Sequence, residues 1–204
     1  ARVARGFIPL ATDKKDAHWW KDALKKHSIK TVYFEPFDFT YYKLGAFRRL
    51  SRSVAVLKPS AIDFRALRSI KNARELFCIR RAARIAEEIL GEIKQLCLRR
   101  SSVISPTERE LVLEIHKRAF LRGCEELSFS PIVAFGRNSG IPHHQSTARR
   151  RLKKGDIVLI DMGVKYHGYC SDITRTFFTA PPSTRQAEIY ERVLAAQTSA
   201  IALI

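Results

Sequence analysis

The stretch Gly155–Thr179, GDIVLIDMGVKYHGYCSDITRTFFT, constrains this chain more than any other. Two runs rich in β-branched and aromatic residues flank Lys165–Gly168, and that pattern predicts a β-hairpin. Each run carries an acid where a buried strand has no use for one: Asp161 after IVLI, and Asp172 before ITRTFF. A turn centred between Tyr166 and His167 sets the two carboxylates directly opposite each other on one face, with Cβ atoms roughly 5 Å apart. Two bare carboxylates that close in apolar surroundings repel each other and lose hydration, so one must protonate. A divalent cation, or a pair roughly 3.5–4 Å apart, relieves this by bridging them. The structural alternative is that Asp161-Met162-Gly163 starts a turn and Asp172 pairs with Arg175. An odd-length loop or a bulge would send the acids to opposite faces.

With 204 residues, 46% of them hydrophobic, the chain can build a real core in one large domain or two smaller ones. No apolar run approaches the roughly 18 residues of a membrane span, and no signal-peptide pattern opens the chain, so no membrane partner is expected. Cys78, Cys97, Cys124 and Cys170 are irregularly spaced without a CxxC, which suits free thiols in a reducing cytoplasm better than disulfides or a zinc site. The formal charge of +17 raises the question of a nucleic-acid partner. Its basic residues are spread along the chain, densest at Arg149–Lys154 and without aromatic interleaving, which argues against a dedicated nucleic-acid role.

The rest of the chain reads as alternating elements. Residues 13–27 predict a helix, Thr31–Phe34 a strand, Asp38–Leu50 a helix capped by Asp38, and Ser53–Leu57 a strand before Pro59. Together they suggest a small α/β layer ending near Arg68, with Trp19 and Trp20 as packing residues. Leu76, Ile79, Ala83, Ala86, Ile89, Ile93 and Leu96 fall at helical spacing, so Ile70–Arg100 predicts one long amphipathic helix with Gly91 as a weak point. Ser105-Pro106-Thr107-Glu108 predicts a second helix with Ser105 as its N-cap and Glu108 completing a capping box, and Gly123 can close it. Glu125 and Glu126 read as solvated loop residues. Leu127–Phe135 reads as a strand that Pro131 makes an edge or a bulge. His143 and His144 then sit in a Gly/Pro/Ser-rich loop, GRNSGIPHHQST, where packing rarely asks for histidine. After the hairpin, Ser183 and Gln186 form a capping box for an apolar helix with no stop signal before Ile204.

This order of features resembles the creatinase/prolidase/aminopeptidase P group of pita-bread metallopeptidases. The residues that carry the resemblance are RSIKNARELFCI (68–79), SFSPIVAFGRNSGIPHH (128–144), DMG followed by YCSDITRTF within Gly155–Phe178, and PPSTRQAEIYERVLAAQ (181–197). The resemblance implies an α/β (α+β) chain. Residues 1–68 would be part of a small creatinase-like N-terminal domain, and residues 69–204 the first half of a pita-bread catalytic domain.

By the same resemblance, Asp161 and Asp172 are the first two ligands of a centre holding two divalent metal ions, manganese in proline-specific members, with Asp172 bridging. His144 contacts substrate and the tetrahedral intermediate, and Thr174 and Arg175 steady the acids. The implied substrate is a peptide with proline at its second position, and a homodimer is allowed but not required. The group completes its site with a histidine in a Gly-His-Gly-like segment and two later glutamates, none of which follows here. The expectation is therefore a chain cut at both ends that alone binds metal weakly and is inactive. Two rivals remain: a non-catalytic module of the same fold that binds nucleic acid or acidic proteins through Arg149–Lys154, and methionine aminopeptidase-like chemistry. The preceding small domain and the Pro-His-His loop favour the proline-specific branch.

Overall fold

Strict alternation of burial along strand β5 (Ile157–Met162) organises the larger part of the molecule. The computed structural model describes residues 18–37, 39–99 and 105–204. The chain divides into two compact units between Ile70 and Lys71.

In the first unit, α1 (His18–Lys26), β1 (Thr31–Phe34), α2 (Tyr41–Ser51), β2 (Val56–Pro59) and α3 (Phe64–Ser69) follow in order. Strands β1 and β2 pair in parallel, Thr31 opposite Val56, with α2 as the crossover between them. Trp20 is a packing residue, as predicted: its Nε1–H donates to the buried Ser51 Oγ at 2.8 Å, and its ring meets Phe47 edge-on. The cap of α2 is Thr40, whose Oγ1 accepts from the Lys43 N–H; Asp38, the predicted cap, lies outside the described residues, as do residues 13–17 of the first predicted helix. Helix α3 went unforeseen, although Asp63 caps it by accepting from the Arg65 and Ala66 amides.

The second unit opens with α4 (Ala73–Leu98), started by an Asn72–Glu75 capping box and unbroken at Gly91. Its buried stripe is Cys78, Ala82, Ile85, Ala86, Ile89, Leu90, Ile93 and Cys97. That is a correction: Leu76, Ala83 and Leu96, predicted on the apolar stripe, are exposed, and Cys78 and Cys97 serve as small apolar residues of the seam. Helix α5 (Glu108–Leu121) begins two residues later than predicted. Thr107 is its N-cap and Glu110 closes the box, which frees Glu108 from that duty.

Six strands then form two three-stranded antiparallel sheets. These are β3 (Glu126–Leu127) with β6 (Val164–Tyr166) and β7 (Tyr169–Cys170), and β4 (Ile132–Phe135) with β5 and β8 (Ile173–Phe178). Pro131 marks the passage of one chain segment from the first sheet to the second, rather than a bulge within one strand. Val133, Phe135, Val158, Ile160, Met162 and Phe177 meet Ile85, Ile89, Ile93, Leu111 and Ile115 of the helices in one core. Glu125 and Glu126 are both exposed, as expected of solvated acids, and both also have partners. Glu126 pairs with Lys165 at 2.7 Å, and Glu125 accepts the Gly168 N–H, so both clasp the hairpin.

The hairpin forms, with a register displaced from the predicted one. His167 (φ +49°) and Gly168 (φ +83°) are the central residues of the β6–β7 turn, both left-handed as a type I′ turn requires. Asp161 therefore stands opposite Thr174, not opposite Asp172. Helix α6 (Thr184–Ile201) starts at the predicted Ser183–Gln186 box and has no buried residue. All four cysteines are free thiols, and no described helix is long and apolar enough to cross a membrane.

Candidate metal-binding cleft and its histidine loop

On the face of the β4-β5-β8 sheet turned away from the helices, Ile132, Ala134, Leu159, Asp161 and Thr174 border a cleft of about 350 Å³. His143 closes one side of it. A broader neighbouring hollow of about 750 Å³ takes in Asp161 again, with Asp172, His143 and His144. The two acids thus share one hollow even though they are not paired. A register displaced by two residues keeps side chains on the same face, so Asp172 is diagonal to Asp161, where a one-residue slip would have separated them.

Asp161 is half-buried, and the Thr174 hydroxyl opposite it donates to its Oδ1 at 2.8 Å. Asp172 is exposed between β7 and β8. The register of the flanking ladders sets it across from Gly163. A Cβ at Gly163 would lie 1.8 Å from the Ser171 carbonyl oxygen, so only glycine fits there. Arg175 behaves differently from expectation. It lies on the helix-facing side of β8, and its guanidinium pairs with Glu87 at 3.7 Å rather than with either acid.

The histidine loop is built on Glu108. This carboxylate is fully buried (0% exposed) and receives four hydrogen bonds, two at each oxygen. Oε1 accepts from the Phe135 N–H (2.9 Å) and Asn138 Nδ2 (2.8 Å); Oε2 accepts from the Thr147 N–H (3.0 Å) and His144 Nε2 (2.9 Å). Burial pushes its pKa up, but the bonds from His144, Asn138, Phe135 and Thr147 together outweigh that and hold it below the ordinary carboxylate value. Glu108 is the residue that sequence reasoning missed. Its place three residues after Ser105 reads as capping-box chemistry, and the only signal against that is Thr107, a competing cap that leaves Glu108 without a helical task.

The two histidines divide. His144 is committed to Glu108, and its side chain is 11% exposed. His143 is exposed, sits at φ +53°, and borders both hollows beside Asp161. A left-handed backbone at a residue other than glycine costs roughly 1–3 kcal/mol and persists only where its surroundings enforce it.

The oxygen donors of Asp161 and Asp172 fit a hard divalent cation. They supply two of the roughly six donors such an ion takes. Among the described residues, no group of three or more His, Cys, Asp or Glu side chains could hold a metal ion. These two residues fit a metal as one part of a shell.

Comparison with solved structures places this architecture among proline-peptidase folds. The prolidase from Pyrococcus horikoshii superposes with a TM-score of 0.75 at 29% identity, over 92% of this chain and 51% of that one. The X-Pro aminopeptidase from Thermotoga maritima gives 0.74 at 27% identity, again over 92% and 51%. The fold is thus the mixed α/β pita-bread fold of these peptidases. Residues 78–204 match metallopeptidase family M24, and the chain belongs to that family. Among curated relatives, the Xaa-Pro dipeptidase of Pyrococcus horikoshii is 32% identical over 197 residues, 95% of this chain and 52% of its own length. An uncharacterised peptidase of Staphylococcus aureus is 41% identical over 143 residues, 70% of this chain and 39% of its own length. The chain spans about half the length of such relatives, or less.

Proposed function

We propose that this chain contributes to a metal-dependent exopeptidase that hydrolyses Xaa-Pro bonds, as aminopeptidase or dipeptidase. The single observation that carries this reading is the convergence of Asp161, Asp172 and His143 on one hollow in a chain of family M24. The likeness to the Xaa-Pro dipeptidase and the prolidase, both near 30% identity, favours the proline-specific branch over methionine aminopeptidase chemistry. We read residues 1–68 as part of the small N-terminal domain and 69–204 as the first half of the catalytic domain. Two divalent ions, manganese by preference, would be held in part by Asp161 and Asp172, with the remaining ligands contributed from outside these residues. When bound, such ions acidify water and polarise a carbonyl.

What the chain's own residues contribute can be stated. Asp161 and Asp172 provide negative charge at one end of the sheet, and Thr174 orients Asp161. Ile132, Ala134 and Leu159 give the cleft an apolar floor suited to a proline ring. His143 stands where an imidazole could donate to a carbonyl oxygen as charge develops on it. The sequence-based assignment gave that role to His144; the Glu108 bond argues for its neighbour. The free thiols suit a reducing, cytoplasmic setting.

The test is release of proline from a Xaa-Pro dipeptide by the full-length polypeptide in manganese, compared with Asp172→Ala. Turnover that Asp172→Ala abolishes with the fold intact supports the proposal; no turnover after metal reconstitution overturns it. Salt-sensitive binding to an oligonucleotide without peptidase activity would favour the non-catalytic reading. Arg150 and Arg151 speak against that alternative, since they already face Asp156 and Glu110.

A further inference from the structure

We infer that Glu108 is a positioning residue that decides which of two adjacent histidines is available at the cleft. The inference rests on the reading of that cleft as the reaction centre. Its geometry stands independently. The sequence offers His143 and His144 side by side on a glycine-rich loop, and nothing local distinguishes them. The structure does so through a buried carboxylate on a different element, at the start of α5.

The donor arithmetic at Glu108 is closed. An ionised carboxylate only accepts, and each oxygen here takes two donors. His144 must therefore present a proton at Nε2. Because Phe135 ends β4 and Thr147 follows the loop, the same carboxylate ties both ends of the 136–147 segment, with Asn138 held from inside it. His144 is seated against Glu108 and lines only the broader hollow, whereas the exposed His143 also borders its narrower side. That side is the cleft beside Asp161, reached at the cost of a left-handed backbone at His143. Glu108 holds one histidine so that its neighbour is presented, and its own four partners include neither Asp161 nor Asp172.

The experiment compares the isotopically labelled chain with Glu108→Gln, His144→Gln and His144→Leu. In the parent, ring nitrogen–proton correlations should place the proton of neutral His144 on Nε2, and the Phe135 and Thr147 amides should exchange slowly. Glutamine keeps the shape but has one acceptor oxygen, so two of the four donors face an amide NH₂. Exchange at the abandoned amide should accelerate tenfold or more, roughly the effect of stranding a buried donor. The His143 ring signals should shift with it. His144→Gln returns an amide donor to Oε2, so His143 and Thr147 should keep parental signals; His144→Leu should move both.

An Nδ1-protonated His144, or a Glu108→Gln chain with unchanged exchange and His143 signals, would overturn the inference. Where Glu108→Gln does not fold, the His144 pair decides, and equal His143 signals in both variants count against it. With full-length enzyme, His144→Gln should keep kcat within about twofold, and His144→Leu should lose about tenfold or more in kcat with KM little changed. If His144→Gln is as inactive as His144→Leu while its loop is intact, the imidazole of His144 itself acts and the inference fails. A parent enzyme with no Xaa-Pro turnover removes the peptidase reading and leaves the spectroscopic result standing.

Discussion

Thr174 stands directly across the ladder from Asp161 and donates its hydroxyl proton to Asp161 Oδ1 at 2.8 Å. The bond fixes one oxygen of the acid and leaves the other for a ligand in the cleft. Partners that orient a metal-binding group typically change affinity by about 10–100-fold when removed. Thr174→Val is therefore expected to weaken divalent-cation binding by about tenfold, with little loss of stability because Thr174 is exposed. Calorimetric or spin-resonance titration with manganese checks this. Equal affinity in the two proteins would show that Asp161 needs no such support.

Gly163 leaves no room for a larger residue. Its missing Cβ would meet the Ser171 carbonyl oxygen at 1.8 Å, with Ser128 Oγ at 2.9 Å. Backbone cannot swing aside as a side-chain end can, so Gly163→Ala should destabilise the second unit by at least the roughly 1–3 kcal/mol usual for overpacking. Denaturant unfolding measures it, and a change under about 0.5 kcal/mol would contradict the close approach.

Glu108 makes stability depend on pH in a definite direction. Its folded-state pKa lies below the ordinary value, so the folded state binds its proton less readily than the unfolded chain does. The stabilisation is complete above the ordinary carboxylate range and is lost as pH falls through the depressed folded value. His144 Nε2 faces the carboxylate at 2.9 Å. Thermal melts of parent and Glu108→Gln should differ most near neutral pH and converge in acid. A gap that widens as pH falls would reverse the assignment.

The four thiols should separate by reactivity. Cys170 is exposed, whereas Cys78, Cys97 and Cys124 are buried. Burial pushes the Cys97 thiol up to about 12, and burial also raises that of Cys124. A thiol reagent at mild alkaline pH should modify one cysteine rapidly in the folded chain and the other three only on unfolding. Peptide mapping that found Cys97 modified first would contradict the packing of α4.

Much of this was legible in the sequence, and the failures are local. Strand Thr31–Phe34, the Ser183 cap and the two-acid hairpin were readable because β-branched runs and Ser-x-x-Gln patterns act through neighbouring residues alone. The hairpin register was missed because His167, an ordinary residue, shares the left-handed turn with Gly168; pattern reading centred the turn one residue early. The buried stripe of α4 was misplaced because two cysteines do what leucine usually does. Glu108 was out of reach for a deeper reason. Four donors from a strand end, a loop and its exit converge on it, and none of those distances in the chain is short.

The two small sheets are made from the same three lengths of chain, each interrupted at about the same level: around Pro131, at Gly163 and at Ser171-Asp172. Together they form a single pleated ribbon with a crease across it. An acid in the middle of a continuous sheet would have its main chain fixed by neighbours on both sides. At a crease the ladder is suspended for a residue or two, and Asp172 sits there opposite a residue with no side chain. The fold line thus leaves Asp172 outside both ladders, while Asp161, a short distance away, is held by a paired strand on each side.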